Sequence, residues 1–448
     1  MIPPLLARNL TIPIVDGLRS RRKVLKELRE AEELQWLSQK EILDLQWTHL
    51  QKLIREAYQW VPYYKKKFDE YGVNLDQVQT SEDLKRIPIL TKKDINDHRE
   101  EMVNPKYKSR IYKNTTGGST GVPTQFYQVD EHWVKNTAAT IKNYKWTGVN
   151  EGEKVSIIWG NQLEIKSLGS WIEHLKFMLV NKQWIPVLSL NHELLQKSVS
   201  AMSKFKPKLI QGYNTYLYLL AQYILENHFD EIRPRAVISG SNTLFDSQRK
   251  AIESAFHCRV FDRYGSRELG CIASECSEHT GLHINMENVF VEFERLPSSD
   301  TNDKLFNLIC TSMGNYGMPF IRYEIGDLGI PMHEPCPCGR GLPMIEKLKG
   351  RTHDILKTPS GKIITGDLFD IIFLNYSYLV QQFQVRQKRL DQMEVDVAVK
   401  PGVDQKDLQA VRSLMESIIG PDVEIILNIK EEIPVARSGK LHLTISEI

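Results

Sequence analysis

Residues 236–261 have the sequence AVISGSNTLFDSQRKAIESAFHCRVF, and its order of apolar and polar residues decides the fold class. Short β-rich runs at 236–238 and 259–261 flank a helix-like stretch at 245–256. The same alternation fills residues 151–270, with further β-rich runs at 155–158 and 208–210 and a helix-like stretch at 215–226. Alternation of this kind favours βαβ units around a largely parallel sheet, so the sequence predicts an α/β protein.

Several of the predicted strands end in glycine or serine, at residues 159–160, at 211–213 and at Ser239-Gly240-Ser241. Ligands of open α/β sheets collect at the carboxyl ends of the strands. We therefore expect these turns to form walls of a binding pocket.

The segments on either side have different patterns. Residues 16–60 have apolar residues at helical spacings, and the basic run from Arg19 to Arg29 predicts one basic helix face. Such a face is typical of a solvated surface, and it also suits a membrane surface or an acidic partner. Strand-like runs alternate with a helix-like run beyond Gly350. We therefore expect a helical region at 1–60, a large domain at 61–349 and a small α+β domain at 350–448.

The composition excludes several classes of protein. The chain has 448 residues, 41% hydrophobic and 25% charged, with a formal net charge of +2, which gives no reason to expect a nucleic-acid partner. No apolar run approaches the roughly 20 residues that span a bilayer. The N-terminus lacks the pattern of a secretory signal, and six cysteines are too few for a disulfide scaffold. These features predict a cytoplasmic protein.

The strongest local motif is NTTGGSTG at residues 114–121. Three glycines let backbone N–H groups curl around an anion, and the hydroxyl side chains donate further hydrogen bonds. The lysine of a P-loop is absent, so this is a different phosphate-binding pattern. On its own, the segment is also compatible with an ordinary flexible loop.

Four further motifs follow in order: YGSRE at 264–268, RYEIGD at 322–327, Gly350-Arg351 with Asp354, and RSGK at 437–440. Their order and spacing resemble the adenylate-forming superfamily of acyl-CoA synthetases, peptide-synthetase adenylation domains and luciferases. The CPCGR segment at 336–340 and the chain length narrow the resemblance to the phenylacetate–CoA ligase-like branch. That branch includes CapK-type and coenzyme F390 synthetase-like proteins. The resemblance implies a large α/β domain with mixed parallel sheets flanked by helices, and a small mobile α+β C-terminal domain.

The resemblance also implies a role for each motif residue. The glycine-rich loop would hold the phosphates of ATP, Tyr264 would face adenine, and Asp327 would accept hydrogen bonds from the ribose hydroxyls. Arg351 would lie at the hinge near the ribose or phosphate. The catalytic candidates are Lys440, Glu268 as the Mg²⁺ ligand, and Arg267. The nucleotide-binding candidates are Thr115, Thr116, Gly117, Gly118, Ser119, Thr120, Gly121, Ser239, Gly240, Ser241, Tyr264, Gly265, Ser266, Asp327 and Arg351.

Two residues depart from the superfamily pattern. Val122 occupies a position where many members have lysine, so phosphate binding would rest on backbone and hydroxyl donors. Arg267 replaces a hydroxyl residue before Glu268, and its guanidinium could clamp a carboxylate or phosphate or point into solvent.

Cysteine and histidine spacing suggests a metal site. Cys276, His283, Cys336 and Cys338 form a Cys₃His set, which is a normal tetrahedral set for structural zinc, and His279 is the rival histidine. Several members of the resembled branch have this pattern with bound zinc. Cys258, Cys271 and Cys310 lie in or near apolar runs and are expected in the core.

The resemblance implies ATP-dependent activation of a small carboxylic acid, aryl or other, to an acyl-adenylate with release of pyrophosphate, followed by transfer to a thiol, which in this branch is that of CoA. An amine or hydroxyl acceptor in polysaccharide or secondary metabolism stays open, as does a non-catalytic adenylate-binding protein. A homodimer is also left open.

Overall fold

The computed structural model describes residues 2–116, 124–159, 171–187, 192–241, 243–296, 305–351, 356–360, 363–364, 366–376, 378–431, 433 and 444–448. The helices are α1 (Pro4–Leu6), α2 (Ile12–Asp16), α3 (Leu18–Leu34), α4 (Gln39–Trp60), α5 (Pro62–Glu70), α6 (Lys92–His98), α7 (Asp130–Trp146), α8 (Trp171–Leu179), α9 (His192–Phe205), α10 (Asn214–Glu226), α11 (Asp246–Phe256), α12 (Gly366–Asn375) and α13 (Gln409–Ile419). One π-helical turn, Ala7–Thr11, joins α1 to α2. Short 3₁₀ turns cover Leu75–Gln77, Glu82–Arg86 and Pro105–Tyr107.

The strands are β1 (Tyr112–Thr115), β2 (Gln125–Gln128), β3 (Val155–Ile158), β4 (Lys182–Ile185), β5 (Leu209–Tyr213), β6 (Ala236–Gly240), β7 (Arg259–Ser266), β8 (Gly270–Glu275), β9 (Leu282–Ile284), β10 (Val289–Arg295), β11 (Phe306–Ser312), β12 (Tyr323–Met332), β13 (Met344–Arg351), β14 (Leu356–Lys357), β15 (Ile363–Ile364), β16 (Val380–Arg389), β17 (Gln392–Val399), β18 (Glu424–Lys430) and β19 (Thr444–Ser446).

One large mixed sheet organises the chain up to Arg351. Its eleven described strands have the order β10-β11-β12-β13-β9-β8-β7-β6-β5-β3-β4. Strands β4, β3, β5, β6 and β7 are parallel, and from β7 to β10 each neighbouring pair is antiparallel. The predicted α/β class with a mixed sheet is confirmed. The change from parallel to antiparallel pairing occurs at β7, which bears the YGSRE motif.

The N-terminal helices pack against this sheet and its helices. Helix α4 begins at a capping box, in which the Ser38 hydroxyl accepts from the Glu41 N–H and the Glu41 carboxylate accepts from the Ser38 N–H. Further along α4, the Gln46 amide donates to the carbonyls of Met286 and Val289, at 2.8 and 2.9 Å. The buried apolar face of α4 therefore joins the core of the antiparallel half of the sheet.

The C-terminal segment has its own sheet and core. Strands β18-β17-β16-β19 form a four-stranded mixed sheet, and α12 and α13 contribute to its apolar core. The strands and the helix expected here from sequence are present at 363–364, 380–389, 392–399, 409–419 and 424–430. The division at 349/350 stays a prediction.

The helices that the structure describes include none with the length and apolar character needed to cross a bilayer.

Candidate functional site

The hairpin of β7 and β8 brings the second motif to the edge of the site. Gly265 is required here, because a Cβ at this position would lie 2.6 Å from the Gly270 carbonyl oxygen. The Ser266 hydroxyl accepts from the Leu269 N–H at 3.2 Å and shapes the turn. This turn places Tyr264 and Glu268 toward the neighbouring antiparallel strands.

Tyr264, Asp327 and Arg351 form one hydrogen-bonded line. The Tyr264 hydroxyl donates to Asp327 Oδ2 at 2.8 Å, and Arg351 Nε lies 3.0 Å from Asp327 Oδ1. Asp327 and Arg351 are cross-strand partners of β12 and β13, so the sheet register sets their pairing. Burial, followed by the negative charge of Asp327, raises the pKa of Tyr264 well above its ordinary value. Its hydroxyl therefore stays protonated and acts as a donor.

Glu268 is a buried carboxylate beside this line, with 6% of its surface exposed. The Tyr323 hydroxyl donates to Glu268 Oε1 at 3.3 Å. Burial and the Glu268 charge raise the pKa of Tyr323, so this hydroxyl also remains a donor. A buried carboxylate is costly unless a cation compensates it, so the position suits a divalent cation with oxygen ligands.

The first motif lies against the same turn. Strands β1 and β2 form an antiparallel hairpin, and Thr115 and Thr116 lie where its loop begins. Arg267 Nη1 donates to the Thr115 carbonyl at 3.1 Å, and the Gln128 amide donates to the Arg267 carbonyl at 2.9 Å. The Thr116 hydroxyl accepts from the Thr124 N–H at 2.9 Å. The base of the glycine-rich loop is therefore attached to the turn that bears Glu268.

Arg267 is partly buried in this position. Burial lowers its pKa, and the negative charge of Glu268 opposes that change. Its guanidinium therefore helps to join the two motifs through the Thr115 carbonyl. Gly117, Gly118, Ser119, Thr120, Gly121 and Val122 lie outside the described residues, as does Lys440.

The expected pocket wall lies at the ends of β3, β5 and β6. The rings of Trp159 and Tyr213 have centroids 4.2 Å apart. The Ser239 hydroxyl is buried without a hydrogen-bond partner among the described residues, and a Cβ on Gly240 would lie 3.3 Å from the Arg263 carbonyl oxygen. Register pairs Ser239 with Gly212 and Gly240 with Tyr213. The parallel strand ends therefore bring residues 159, 212–213 and 239–240 together, and Ser241 follows with a positive φ of 86°.

Two contact residues of the site were missed by the sequence analysis. Tyr323 lies within the RYEIGD motif, and the alternation of β12 could have placed it beside Asp327. Gln128 follows the glycine-rich loop, and its local sequence contains no signal for its contacts with the turn at 267–268.

The predicted cysteine and histidine set forms a compact cluster. The ligand atoms of Cys276, His283, Cys336 and Cys338 all lie within 4.8 Å of one another. Cys276 Sγ lies 3.7 Å from Cys336 Sγ, and Cys338 Sγ lies 3.3 Å from His283 Nε2. Tetrahedral zinc with Zn–S bonds of about 2.3 Å places two sulfurs roughly 3.8 Å apart. The donor set and the spacing therefore fit a closed structural zinc site.

The rival histidine has a different role. His279 Nδ1 lies 3.0 Å from Glu275 Oε2, and its ring centroid lies 4.6 Å from that of Phe261. Within the described chain, His283 is therefore the histidine of the cluster. Burial lowers the pKa of His283 to about 4, so it is neutral near pH 7, as a metal ligand must be.

The turn at 336–341 also contacts the junction between α3 and α4. Arg340 Nε donates to Gln35 Oε1 at 2.8 Å, and Trp146 Nε1 donates to the same oxygen at 2.9 Å. The Gly341 N–H donates to the Gln35 carbonyl at 3.0 Å, and a Cβ on Gly341 would meet the Leu37 carbonyl oxygen. The cluster therefore shapes a turn that holds the N-terminal helices to the sheet.

Comparison with known proteins gives three findings. Residues 356–447 match the family model for the CapK C-terminal domain. Protein CapK of Staphylococcus aureus is 25% identical over 379 residues, covering 82% of this chain and 81% of that protein. Phenylacetate-coenzyme A ligase of Thermus thermophilus is 25% identical over 390 residues, covering 82% of this chain and 83% of the ligase.

A solved structure shows the same fold. The 2-hydroxyisobutyryl-CoA ligase in its postadenylation state superposes with a TM-score of 0.75 at 18% identity, covering 93% of this chain and 92% of that one. These findings confirm the resemblance predicted from the order of the motifs and confirm the expected fold class. The roles of the individual residues stay predictions.

Proposed function

From this homology to CapK and phenylacetate-coenzyme A ligases, we propose that the protein is an AMP-forming acid–thiol ligase. It activates a carboxylic acid with ATP to an acyl-adenylate and pyrophosphate, and then transfers the acyl group to CoA. The observation that carries the proposal is the joining of three distant motifs at one turn: Glu268, the base of the glycine-rich loop at Thr115, and Asp327 with Tyr264 and Arg351.

The nucleoside would bind along the line of Tyr264, Asp327 and Arg351. Asp327 already accepts one bond through each oxygen, and a carboxylate has about four acceptor positions in total. Two remain for the ribose hydroxyls. The hydroxyl bond of Tyr264 fixes its ring, so that adenine can stack on a surface that is already in place.

The phosphates would bind at the hairpin loop between β1 and β2. The backbone N–H groups and hydroxyls of residues 115–121 would donate to the phosphate oxygens. Glu268 would hold Mg²⁺ next to this loop through its carboxylate. Mg²⁺ bound there would neutralise phosphate charge and orient the chain of phosphates.

Lys440 belongs to the proposed small domain at 350–448. It would supply a positive charge at the α-phosphate of ATP while the carboxylate of the substrate attacks that phosphate. We propose that this domain then rotates near Arg351, withdraws Lys440 and admits the second acceptor. Catalysis of the first step would rest on positioning and charge stabilisation.

The acyl group would bind at the ends of β3, β5 and β6. The Trp159 and Tyr213 rings offer an apolar surface, and the Ser239 hydroxyl, which has no hydrogen-bond partner among the described residues, can bond one polar group of the acid. Gly240 lets the backbone pass close to the Trp159 ring and to the Arg263 carbonyl. We propose a small acid with a planar or aryl group, since flat rings pack well against such a surface.

Structural zinc would fill the Cys₃His cluster, where all four ligand positions come from the protein and none is left for a reacting water. Reduced thiols, ATP and CoA together suit a cytoplasmic reaction.

The proposal is tested by pyrophosphate release from MgATP across a panel of carboxylic acids, with and without CoA. We expect release with an aryl acid, faster when CoA is added. The Glu268→Gln variant should lose about a hundredfold in kcat/KM for MgATP, because the carboxylate that holds the cation is lost. Glu346→Gln, an exposed carboxylate on β13, is the matched control and should behave as wild type.

Other outcomes would change the assignment. If CoA does not affect pyrophosphate release and acyl groups are found on an added amine or alcohol, that amine or alcohol would replace CoA as the proposed acceptor. ATP binding without release for any acid would contradict the enzymatic function and favour a non-catalytic adenylate-binding protein.

A further inference from the structure

Helix α8 exposes an unusually apolar surface. Six of its nine residues are apolar, and none of the nine is buried. Trp171 is 75% exposed and Met178 is 62% exposed, and Ile172 and Leu175 lie on the same side at helical spacing. A helix on a water-soluble surface normally buries its apolar face, so α8 has a surface that suits a further contact.

A second apolar surface lies on the N-terminal helices. Leu6, Leu10 and Ile14 recur every four residues, and Ile14 is 64% exposed. Ala7 and Ile12 point the other way and are buried. This stripe therefore points its large apolar side chains toward solvent, whereas a surface helix normally packs them against the core.

The structure holds the two surfaces next to each other. The Thr11 hydroxyl donates to the Leu179 carbonyl at the end of α8, and Asn181 Nδ2 donates to the carbonyls of Ile2 and Gly152 at 2.7 and 2.8 Å. A Cβ on Gly152 would lie 2.4 Å from the Pro4 carbonyl oxygen, so the chain can approach this closely only at glycine. The stripe and α8 therefore belong to one edge of the molecule, beside β4.

Positive charge lies beside this apolar edge. Arg21 is buried and paired with Glu151 through Nη1 at 2.7 Å, which anchors α3 near β4. The exposed basic side chains in the first 29 residues are Arg8, Arg19, Arg22, Lys23, Lys26 and Arg29. Only two acidic residues, Asp16 and Glu27, occur in the same segment.

We propose that this edge, formed by the stripe Leu6–Leu10–Ile14, α8 and the basic side chains of α3, docks on the surface of an anionic lipid bilayer. Exposed Trp, Leu, Ile and Met side chains enter the boundary between headgroups and acyl chains, and Trp is favoured at that depth. Arg and Lys beside them bind the anionic headgroups. The contact is interfacial and leaves the folded chain outside the bilayer.

A second copy of the chain is the other occupant that the surface could accept. In a two-fold dimer the same patch meets itself, so the basic residues of one copy would approach those of the other. Like charges brought together in this way oppose association. Charge complementarity therefore favours the lipid surface.

The experiment is co-sedimentation of the full-length protein with vesicles of phosphatidylcholine alone or with added phosphatidylglycerol. We expect wild-type protein to bind the anionic vesicles more than the neutral ones, and salt to weaken the binding. Arg19→Ser combined with Arg22→Ser and Lys23→Ser should lower the affinity by about a hundredfold, since each basic residue near the surface contributes about fivefold. Trp171→Glu combined with Met178→Glu should also lose binding.

Matched controls separate surface effects from misfolding. Tyr378→Glu changes an aromatic side chain that is 63% exposed in the C-terminal segment, and Lys40→Ser removes an exposed charge on α4. Both should bind as wild type. Bromine-labelled lipids should quench tryptophan fluorescence in wild-type protein and less in Trp171→Phe, a variant that keeps an apolar ring.

Three results would overturn the proposal. Wild-type protein could stay in the supernatant with both kinds of vesicle. The Trp171/Met178 double variant could bind as well as wild type while unfolding at the same temperature. Sedimentation equilibrium could instead show a dimer that the double variant abolishes, without any vesicle binding.

Discussion

At the scale of single residues, Tyr264 has two separate tasks that a substitution can separate. Its ring is the expected surface for adenine, and its hydroxyl bonds Asp327 Oδ2 at 2.8 Å. Tyr264→Phe keeps the ring and removes the bond that orients the Asp327 carboxylate. We expect the KM for ATP to rise about tenfold, because a hydrogen bond to a charged group contributes about 1.5–3 kcal/mol. Steady-state kinetics at a saturating concentration of the carboxylic acid substrate measure this KM.

Tyr216→Phe is the matched control, because the Tyr216 hydroxyl is buried and lies 2.7 Å from the Ser198 hydroxyl, away from the proposed nucleotide site. It should leave the KM for ATP unchanged. An unchanged KM in Tyr264→Phe, with Asp327→Asn also unaffected, would remove this line of residues from nucleotide binding.

His132 gives a prediction about pH. It is buried near the start of α7, and burial lowers its pKa to about 4. Above its ordinary pKa of about 6.5, folded and unfolded chains are both neutral at this residue. Below that pH the unfolded chain takes up a proton that folded His132 does not, so stability falls between pH 6.5 and 4, by about 3 kcal/mol in total.

His132→Gln should remove that part of the acid sensitivity. Urea unfolding at several pH values would show a shallower loss of stability from pH 6.5 to 4 than in wild type. The control is His257→Gln, in an exposed side chain. If the free energy of unfolding fell equally with pH in wild type and in His132→Gln, His132 would not be a source of the acid sensitivity.

The sequence could predict that candidate residues from separate motifs belong to one site, because the motifs are short and occur in a fixed order, while the roles of these residues stay predictions. Asp327 and Glu268 are examples, and the structure places both near the same turn. Tyr323 lies within one of these motifs, but its bond to Glu268 depends on the fold, as does the bond of the Gln128 amide to a distant carbonyl, and neither bond could be predicted from the sequence. The sequence prediction chose His283 over its rival His279, and the structure places His283, on β9, beside Cys338.

At the scale of elements, the turn at 336–341 connects the Cys₃His cluster with the helices α3 and α4. Removal of the proposed zinc would leave three buried or half-buried thiols and a neutral imidazole without a common partner. Burial raises the pKa of the Cys276 thiol to about 12, so the metal-free site holds a protonated thiol there. We expect chelation, or Cys336→Ser, to lower the unfolding temperature by about 5 °C or more, since a structural metal contributes folding free energy.

Limited proteolysis supplies the second measurement for this element. Loss of the turn should release Gln35 and Leu37 from Arg340 and Gly341, so cleavage at residues 34–38 should become faster. Cys258→Ser, in a half-buried thiol outside the cluster, is the control: it should unfold and be cleaved as wild type does, and respond to chelator to the same extent. Metal analysis that finds no zinc, with no effect of chelator, would contradict the structural site.

Most strands of the parallel half could be predicted closely, because buried parallel strands are short apolar runs between helices, but β4 was missed. Strands β3, β5 and β6 lie within a few residues of the predicted runs. The antiparallel half from β8 to β13 has weaker signals, because its strands contain polar residues such as Ser274, Asn307 and Asp327 that are buried by tertiary contacts. Helix α12 was missed for a related reason, since its apolar composition does not distinguish helix from strand.

At the scale of the whole molecule, the order of five motifs identified the fold more securely than any periodicity. The order of the motifs predicts which distant segments lie together in the fold. The structure brings together the hairpin β1–β2, the turn at 267–268, and strands β12 and β13. Sequence could not show where α8 and the N-terminal stripe lie, because their contact joins residues such as Thr11 and Leu179 that have no common pattern.

The proposed reaction needs the small domain in two positions, and Lys440 would be at the active site in only one of them. In the first step its charge would stabilise the α-phosphate, and in the second it would be withdrawn. Lys440→Ala should therefore lower the rate of pyrophosphate release by about a hundredfold or more, while thioester formation from supplied acyl-adenylate stays close to wild type. Lys388→Ala removes an exposed lysine of the same domain, paired with Glu394 at 3.4 Å, and should leave both rates unchanged. Equal loss of both half-reactions in Lys440→Ala would show that this lysine supports the domain itself and would contradict a role restricted to adenylation.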